Sequence, residues 1–328
     1  MTAVRAPRPQ PWGRAVLAAC LWLAAAAAQA GGDAAVAAQA RYGEQLVGGH
    51  FVHQVVRGDT LASLSARHGL PARLIALENG IKPGARLVPG QLLMLDNRHV
   101  VPAADEDGIL VNVPQRMLFH FAEGRLLAAY PVTAGRPDWR TPLGAFTVIN
   151  RQTDKPWFVP PSIQEEMRRE GRPVLTRVEP GPDNPLGRHW IGLSMPAIGI
   201  HGTNAPSSIY ALRSHGCIRM HPDDVAALFE RVAVGTPGRI VYRPALLAAL
   251  PDGRVFVEVN RDEYRLGPEP VAALRALAES RGLAERIDWQ RVAAVAAARE
   301  GIAREVTLQP LAARNEPGNL DSTGDPAR

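Results

Sequence analysis

Cysteine is almost missing from this chain: 328 residues contain two, Cys20 and Cys217. With Cys20 in a segment expected to be removed, internal disulfides are excluded. A lone thiol in an oxidising compartment is a liability unless it is buried or used. Lysine is as scarce. Only Lys82 and Lys155 occur, so the +5 formal charge and the pI near 9.7 rest on arginine. These charges are scattered rather than blocked. That argues against nucleic acid as a partner and favours a polyanionic matrix or a membrane surface. The apolar run Ala15–Ala28 falls short of the roughly 20 residues that a membrane-spanning helix needs. What is present is a hydrophobic content of 46%, enough for a true core, and a length suited to about two domains.

The N-terminus reads as a targeting segment. Arg5, Arg8 and Arg14 form a positive region, the apolar run follows, and Ala28-Gln29-Ala30 is a small-x-small cleavage signal. Export with cleavage after Ala30 is the leading expectation. Leu17-Ala18-Ala19-Cys20 resembles a lipoprotein cleavage box and offers a competing one, lipid anchoring at Cys20. Residues 31–50 then read as a spacer.

Residues 51–97 form a compact unit. Val52–Val55 alternates like a short strand, and Arg57-Gly58-Asp59-Thr60 is a turn whose Asp59 or Thr60 can cap a helix running to Gly69. A second helix passes through Leu74, Ile75 and Leu77, and Leu92–Leu95 closes as a strand. This β-α-α-β text, VVRGDTLASLSARHGLPARLIALENG with LVPGQLLML after it, resembles a LysM module. The resemblance implies binding of N-acetylglucosamine polymers. Residues 98–107 suit a linker. Short β runs separated by turns fill residues 108–243, with helices expected only at Ile163–Arg169 and Asp223–Arg231. Residues 244–308 read as a C-terminal α/β extension, with a strand at Arg254–Val259 and helices at Val271–Arg281 and Trp289–Arg299. Residues 309–328 read as a disordered tail.

The chemistry gathers around Cys217. Only a few per cent of an ordinary thiol is ionised at neutral pH, and an imidazole can take its proton. If Ser214–Arg219 is extended, His215 and Cys217 share one face, and Gly216 between them lets a backbone approach closely. His201 ends the preceding strand, and the loop Asn204–Ser208 can bring the chain back to set it beside Cys217. A zinc site from His201, His215, Cys217 and His221 is disfavoured, because His215-x-Cys217 lacks the usual ligand gap.

GIHGTNAPSSIYALRSHGCIRM resembles the signature of the L,D-transpeptidases with a YkuD-type catalytic domain, together with RTPLGAFTVI, DKPWFVPPSIQEEM and EPGPDNPLG upstream. The resemblance implies a mainly β, sandwich- or barrel-like catalytic domain. It implies Cys217 as nucleophile, His201 as general base and the Gly202 carbonyl as orienter of the imidazole. His215 and the backbone N–H groups of Gly216 and Cys217 would line an oxyanion pocket. Arg219, Ser214, Asn204 and Trp157 would meet substrate, and Asp154–Pro185 would cap the groove. Neither cofactor nor metal is implied. The implied substrate is the stem tetrapeptide of peptidoglycan, in the periplasm, with at most a peripheral hold on the membrane. The acceptor amine would lie on a second stem or on an outer-membrane lipoprotein. The same nucleophile and base would also serve a peptidoglycan hydrolase or amidase. The intact Cys217, His201, His215 and Arg219 oppose a purely wall-binding role.

Overall fold

The computed structural model describes residues 45–82 and 84–308. The expected targeting segment and tail, and most of the spacer, lie outside the described residues.

The small domain pairs β2 (His50–Gln54) with β3 (Leu92–Asp96) in antiparallel fashion and sets α1 (Leu61–His68) and α2 (Ala72–Glu78) between them. Thr60, not Asp59, caps α1. Its hydroxyl accepts from Ser63 N at 3.0 Å, while the Ser63 hydroxyl accepts from Thr60 N at 2.8 Å. Asp59 instead accepts from Val56 N and meets the His53 ring, fixing the turn before the helix. Leu64, Leu70, Leu74, Ile75, Leu93 and Leu95 form the core, joined by Ile302 from the C-terminal extension.

The central domain is mainly β and closed. Its strands are β5 (Gly108–Asn112), β6 (Met117–Ala122), β7 (Arg125–Gly135), β8 (Gly144–Thr153), β11 (His189–Leu193), β12 (Gly199–His201), β14 (Ile218–Met220) and β15 (Pro237–Val241). Between β8 and β11 lies a cap with β9 (Trp157–Phe158), α3 (Pro161–Arg169) and β10 (Arg177–Val178). β13 (Leu212–Ser214) and α4 (Pro222–Arg231) flank β14. The order β7-β14-β12-β11-β8-β15-β5-β6 returns to β7, which makes a barrel-like ring. The length of β7 allows this: successive stretches pair with β6, then β14, then β13. Alternate side chains of the ring fill its interior, among them Val111, Val132, Val148, Ile191, Ile200, Ile218 and Ile240.

The C-terminal extension is richer in strand than its sequence predicts. Beside β17 (Val255–Val259) stand β16 (Ala245–Ala249) and β18 (Ala303–Glu305), with α5 (Pro270–Ser280) and α6 (Trp289–Ala298) packed against the sheet. The Ala-Leu-Leu-Ala-Ala text of β16 has neither alternation nor β-branched residues, so no local signal marks it.

The stretch expected to be a linker is packed over its first half. β4 (His99–Val100) is buried and pairs with β1 (Leu46–Val47), so the end of the expected spacer is also built into the fold. The reason is a buried carboxylate. Glu258 accepts from Val100 N at 2.8 Å, Gln115 Nε2 at 2.9 Å and Asn260 Nδ2 at 3.1 Å, and pairs with His99 Nδ1 at 3.1 Å. The other nitrogen of His99 donates to the Gly69 carbonyl at 2.6 Å. One side chain thus ties the small domain, the barrel and the extension together.

Removing one member of a buried ionic network typically costs about 3–5 kcal/mol. Glu258→Ala should lower stability by that order in urea unfolding and open residues 98–107 to limited proteolysis. A variant as stable and as protease-resistant as the parent would refute this account of the junction.

Candidate active site

The parallel pairing of β12 with β14 sets Ile200 beside Ile218 and His201 beside Arg219. Both isoleucines enter the barrel core, so His201 and Arg219 lie on the opposite face. Cys217 immediately precedes β14, opposite the start of β12. Gly199 there has no side chain, which leaves room for the Trp190 ring; a Cβ would fall 2.5 Å from it. That ring stacks on His201 with centroids 5.7 Å apart, and Lys155 Nζ lies 4.4 Å from the centre of the indole.

His201 is buried, and its Nδ1 donates to the Gly202 carbonyl at 2.7 Å. That fixes the tautomer and leaves Nε2 as the basic lone pair. Burial drives its pKa down to about 4, helped by the charges of Arg219 and Lys155 and opposed by the Gly202 and Leu186 carbonyls. The imidazole is therefore neutral at pH 7. Cys217 is half-buried, and its thiol donates to the Ala197 carbonyl at 3.5 Å. Burial raises the thiol pKa, while Gly199 N–H, Arg219 and Lys155 pull it the other way. At rest the thiol is thus protonated and the imidazole uncharged.

Ser214–Arg219 is not one strand. β13 ends at Ser214, β14 begins at Ile218, and Gly216 turns between them at φ +107°. The alternation that would put His215 and Cys217 on one face is therefore broken. Ser214, expected to meet substrate, is buried and holds this turn. Its hydroxyl accepts from Gly216 N at 3.2 Å and donates to the Cys217 carbonyl at 2.5 Å. The Gly216 N–H, expected in an oxyanion pocket, is engaged there, which leaves the N–H of Cys217.

His215 points to the cap instead. Its Nε2 lies 2.5 Å from Glu166 Oε2, Arg136 Nη2 donates to Glu166 Oε1 at 2.5 Å, and Trp139 meets the imidazole edge-on at 4.6 Å. Burial alone would raise the Glu166 pKa; hydrogen bonds from Arg136 and His215 outweigh it and hold the carboxyl below the usual range. Sequence reasoning passed over Glu166. The available signal was its place with Ile163 and Met167 on the buried face of α3, where a lone carboxylate needs a partner.

The cap has its own small core of Val159, Ile163 and Met167, against which Trp139 and Trp157 pack. Asn184 closes it by donating to the carbonyls of Lys155, Val178 and Glu179. Trp157 is thus half-buried and packs against the core of the cap. Asn204 donates to the Asp183 carbonyl at 3.1 Å, tying the loop after β12 to the end of the cap. The side chain of Arg219, the fourth residue expected to touch substrate, has no hydrogen-bonded or ion-pair partner among the described residues. Its Nε is buried and unbonded, and burial lowers its pKa.

A family model of the L,D-transpeptidase catalytic domain, YkuD, matches residues 106–240, and one of the LysM domain matches 53–95. The probable L,D-transpeptidase ErfK/SrfK of Salmonella typhimurium is 32% identical over 245 residues, which cover 73% of this chain and 75% of that protein. Its namesake in Escherichia coli K12 is 30% identical over 282 residues, covering 81% and 88%. The NMR structure of the catalytic domain from an E. faecium L,D-transpeptidase matches 42% of this chain and 98% of that one, at 21% identity and a TM-score of 0.31.

The environment of the thiol is directly measurable. Alkylation of Cys217 by iodoacetamide, taken as the difference from Cys217→Ala, should rise with a pH midpoint above the roughly 8.5 of a free cysteine. A midpoint near neutrality would contradict the burial-dominated balance.

Proposed function

The chain belongs to the L,D-transpeptidase family, a family of transferases, and from that premise we propose that it transfers peptidoglycan stem peptides through a thioester on Cys217. Its LysM and catalytic domains together imply peptidoglycan binding. The observation that carries the mechanism is His201: a buried, neutral imidazole held by the Gly202 carbonyl, on the barrel face that begins at the one cysteine among the described residues.

The donor is a stem tetrapeptide. Cys217 Sγ attacks the carbonyl joining the L-centre of the diamino acid to the terminal D-alanine, and His201 Nε2 takes the thiol proton. An S–C bond forms, and negative charge develops on the carbonyl oxygen beside the Cys217 N–H. The C–N bond then breaks, D-alanine leaves with the proton returned by His201, and a thioester remains. An acceptor amine attacks that thioester, His201 removes its surplus proton, and the sulfur departs to be reprotonated. Arg219, whose guanidinium faces the site without a protein carboxylate, holds a carboxylate of the stem; its planar fork suits that task. The acceptor amine belongs to a second stem or to a lysine of an outer-membrane lipoprotein.

The active location is outside the cytoplasm, in the periplasm, reached through the N-terminal segment. Among the described residues no helix is long and apolar enough to cross a membrane. The LysM domain holds glycan strands weakly and raises the local concentration of stems.

Incubation with purified tetrapeptide muropeptides and mass analysis tests the reaction. Linked products with loss of D-alanine are expected, whereas shortened products alone would indicate hydrolysis. Cys217→Ala should abolish turnover and covalent labelling by a carbapenem. His201→Ala should lower kcat by roughly 10²–10⁴-fold, the usual share of a placed base. If Cys217→Ala kept full activity, the mechanism would be wrong.

The protonation states set the pH profile. His201 must be neutral to act, and its pKa is about 4. The acid limb of kcat/KM should therefore have its midpoint near 4, with activity retained down to about pH 5, below the ordinary histidine range. A midpoint near 6.5 would remove burial as the controlling factor.

Glu166→Gln loses the charge that pairs the cap with both Arg136 and His215. KM for the stem should rise more than kcat falls. An unchanged KM would show that the ion pair does not hold the cap.

A further inference from the structure

Tyr264 belongs to the C-terminal extension in sequence but to the barrel in space. It is buried in the barrel core, and its hydroxyl donates to the Gly135 carbonyl at 2.6 Å and accepts from Thr141 N at 3.1 Å. The Thr141 hydroxyl accepts from Gly135 N at 2.8 Å and donates to the Gly216 carbonyl at 2.8 Å. A chain of hydrogen bonds thus runs from the extension to the turn that carries Cys217.

The presentation of Tyr264 is itself fixed. Its ring stacks on Tyr242 with centroids 5.2 Å apart, and its N–H donates to the Tyr242 oxygen at 2.8 Å. Tyr242 donates to Asp262 Oδ1 at 2.7 Å, and the Asp262 carboxylate accepts from Leu266 N and Gly267 N. The Arg140 guanidinium lies 5.3 Å from the centre of the Tyr264 ring. Burial raises the pKa of the phenol, so its proton stays available to Gly135.

The receiving carbonyl matters because of what shares its peptide plane. Gly216 C=O and Cys217 N–H are one planar trans unit and point in opposite directions. The Ser214 hydroxyl serves the neighbouring Gly216 N–H and Cys217 carbonyl, but not this unit. Thr141 therefore sets the rotation of the peptide and, with it, the aim of the Cys217 N–H at the carbonyl oxygen under attack. An oxyanion donor acts only when preorganised at the right angle.

We propose that Tyr264, acting through Thr141, is a positioning residue for the Gly216–Cys217 peptide, which makes the C-terminal extension part of the acyl-transfer machinery. This rests on the nucleophile role of Cys217 proposed above. The extension is then more than a docking platform for the LysM domain.

The test uses the full chain with Tyr264→Phe, Thr141→Val, their combination and Thr141→Ser. D-alanine release gives kcat and KM, carbapenem labelling gives the acylation rate, and thermal unfolding gives the folded fraction. Loss of a whole oxyanion donor costs roughly 10²–10³-fold, so a misaimed one should cost about tenfold or more in kcat. Tyr264→Phe and Thr141→Val should each show that loss with KM within about twofold, and the acylation rate should fall in parallel. The double variant should be no worse than Thr141→Val alone, because both act on one chain. Thr141→Ser, which keeps the hydroxyl, should recover most of the rate. Wild-type kcat in Tyr264→Phe, additive losses, or a deficit explained by the unfolded fraction would each overturn the relay. Cys217→Ala in the same assay separates the two ideas. If it remains active, the thioester reading fails; if it is dead while Tyr264→Phe is fully active, only the relay fails.

Discussion

The site depends on one register, the parallel pairing that sets Ile200 beside Ile218. Parallel neighbours cannot be joined by a tight turn, so the chain leaves β12 at His201 and returns to β14 just after Cys217. Burial of the two isoleucines locks the register, because a slip by one residue would exchange the core face for the outer face. The placement of His201 and Arg219 on one outer surface, with Cys217 at its edge, is therefore a consequence of barrel packing. The energy that holds the reactive groups in place is the hydrophobic energy of the ring.

On that surface burial and charge reinforce each other at one group and oppose each other at the other. Withdrawal from water disfavours both charged forms, the imidazolium and the thiolate. Arg219 and Lys155 add to this effect at His201 and oppose it at Cys217. Both groups stay neutral at rest, and the same two cations favour the thiolate once it forms. A site tuned this way keeps its thiol protonated at rest. Protonation also protects the thiol, since the thiolate is the form most readily oxidised.

The sequence revealed the parts of the molecule that rest on local rules. The turn and cap of the small domain, the alternating strands of the barrel and the spacing from His201 to Cys217 could all be read from neighbouring residues. Glu166, Thr141 and Tyr264 could not. Each is an ordinary residue in its local text, and each acquires meaning from a partner far along the chain: His215, Gly216 and Gly135 respectively. The structural work of Ser214 and Trp157 was hidden for a related reason. Proximity to a motif suggested contact with substrate, while the buried hydroxyl was needed to satisfy the turn and the indole to fill the cap. β16 escaped because a strand covered on both faces needs no alternation.

The extension gains coherence from these long-range partners. Within a few residues it supplies Glu258 and Asn260 to the junction of the small domain, barrel and extension, and Tyr264 to the hydrogen-bond chain that ends at the turn beside Cys217. The LysM domain is accordingly seated on the same short segment that underlies the reactive turn. A tethered glycan-binding module would raise only the concentration of stems. One fixed by a buried carboxylate also fixes the direction from which a held strand approaches, because the linker contributes almost no freedom.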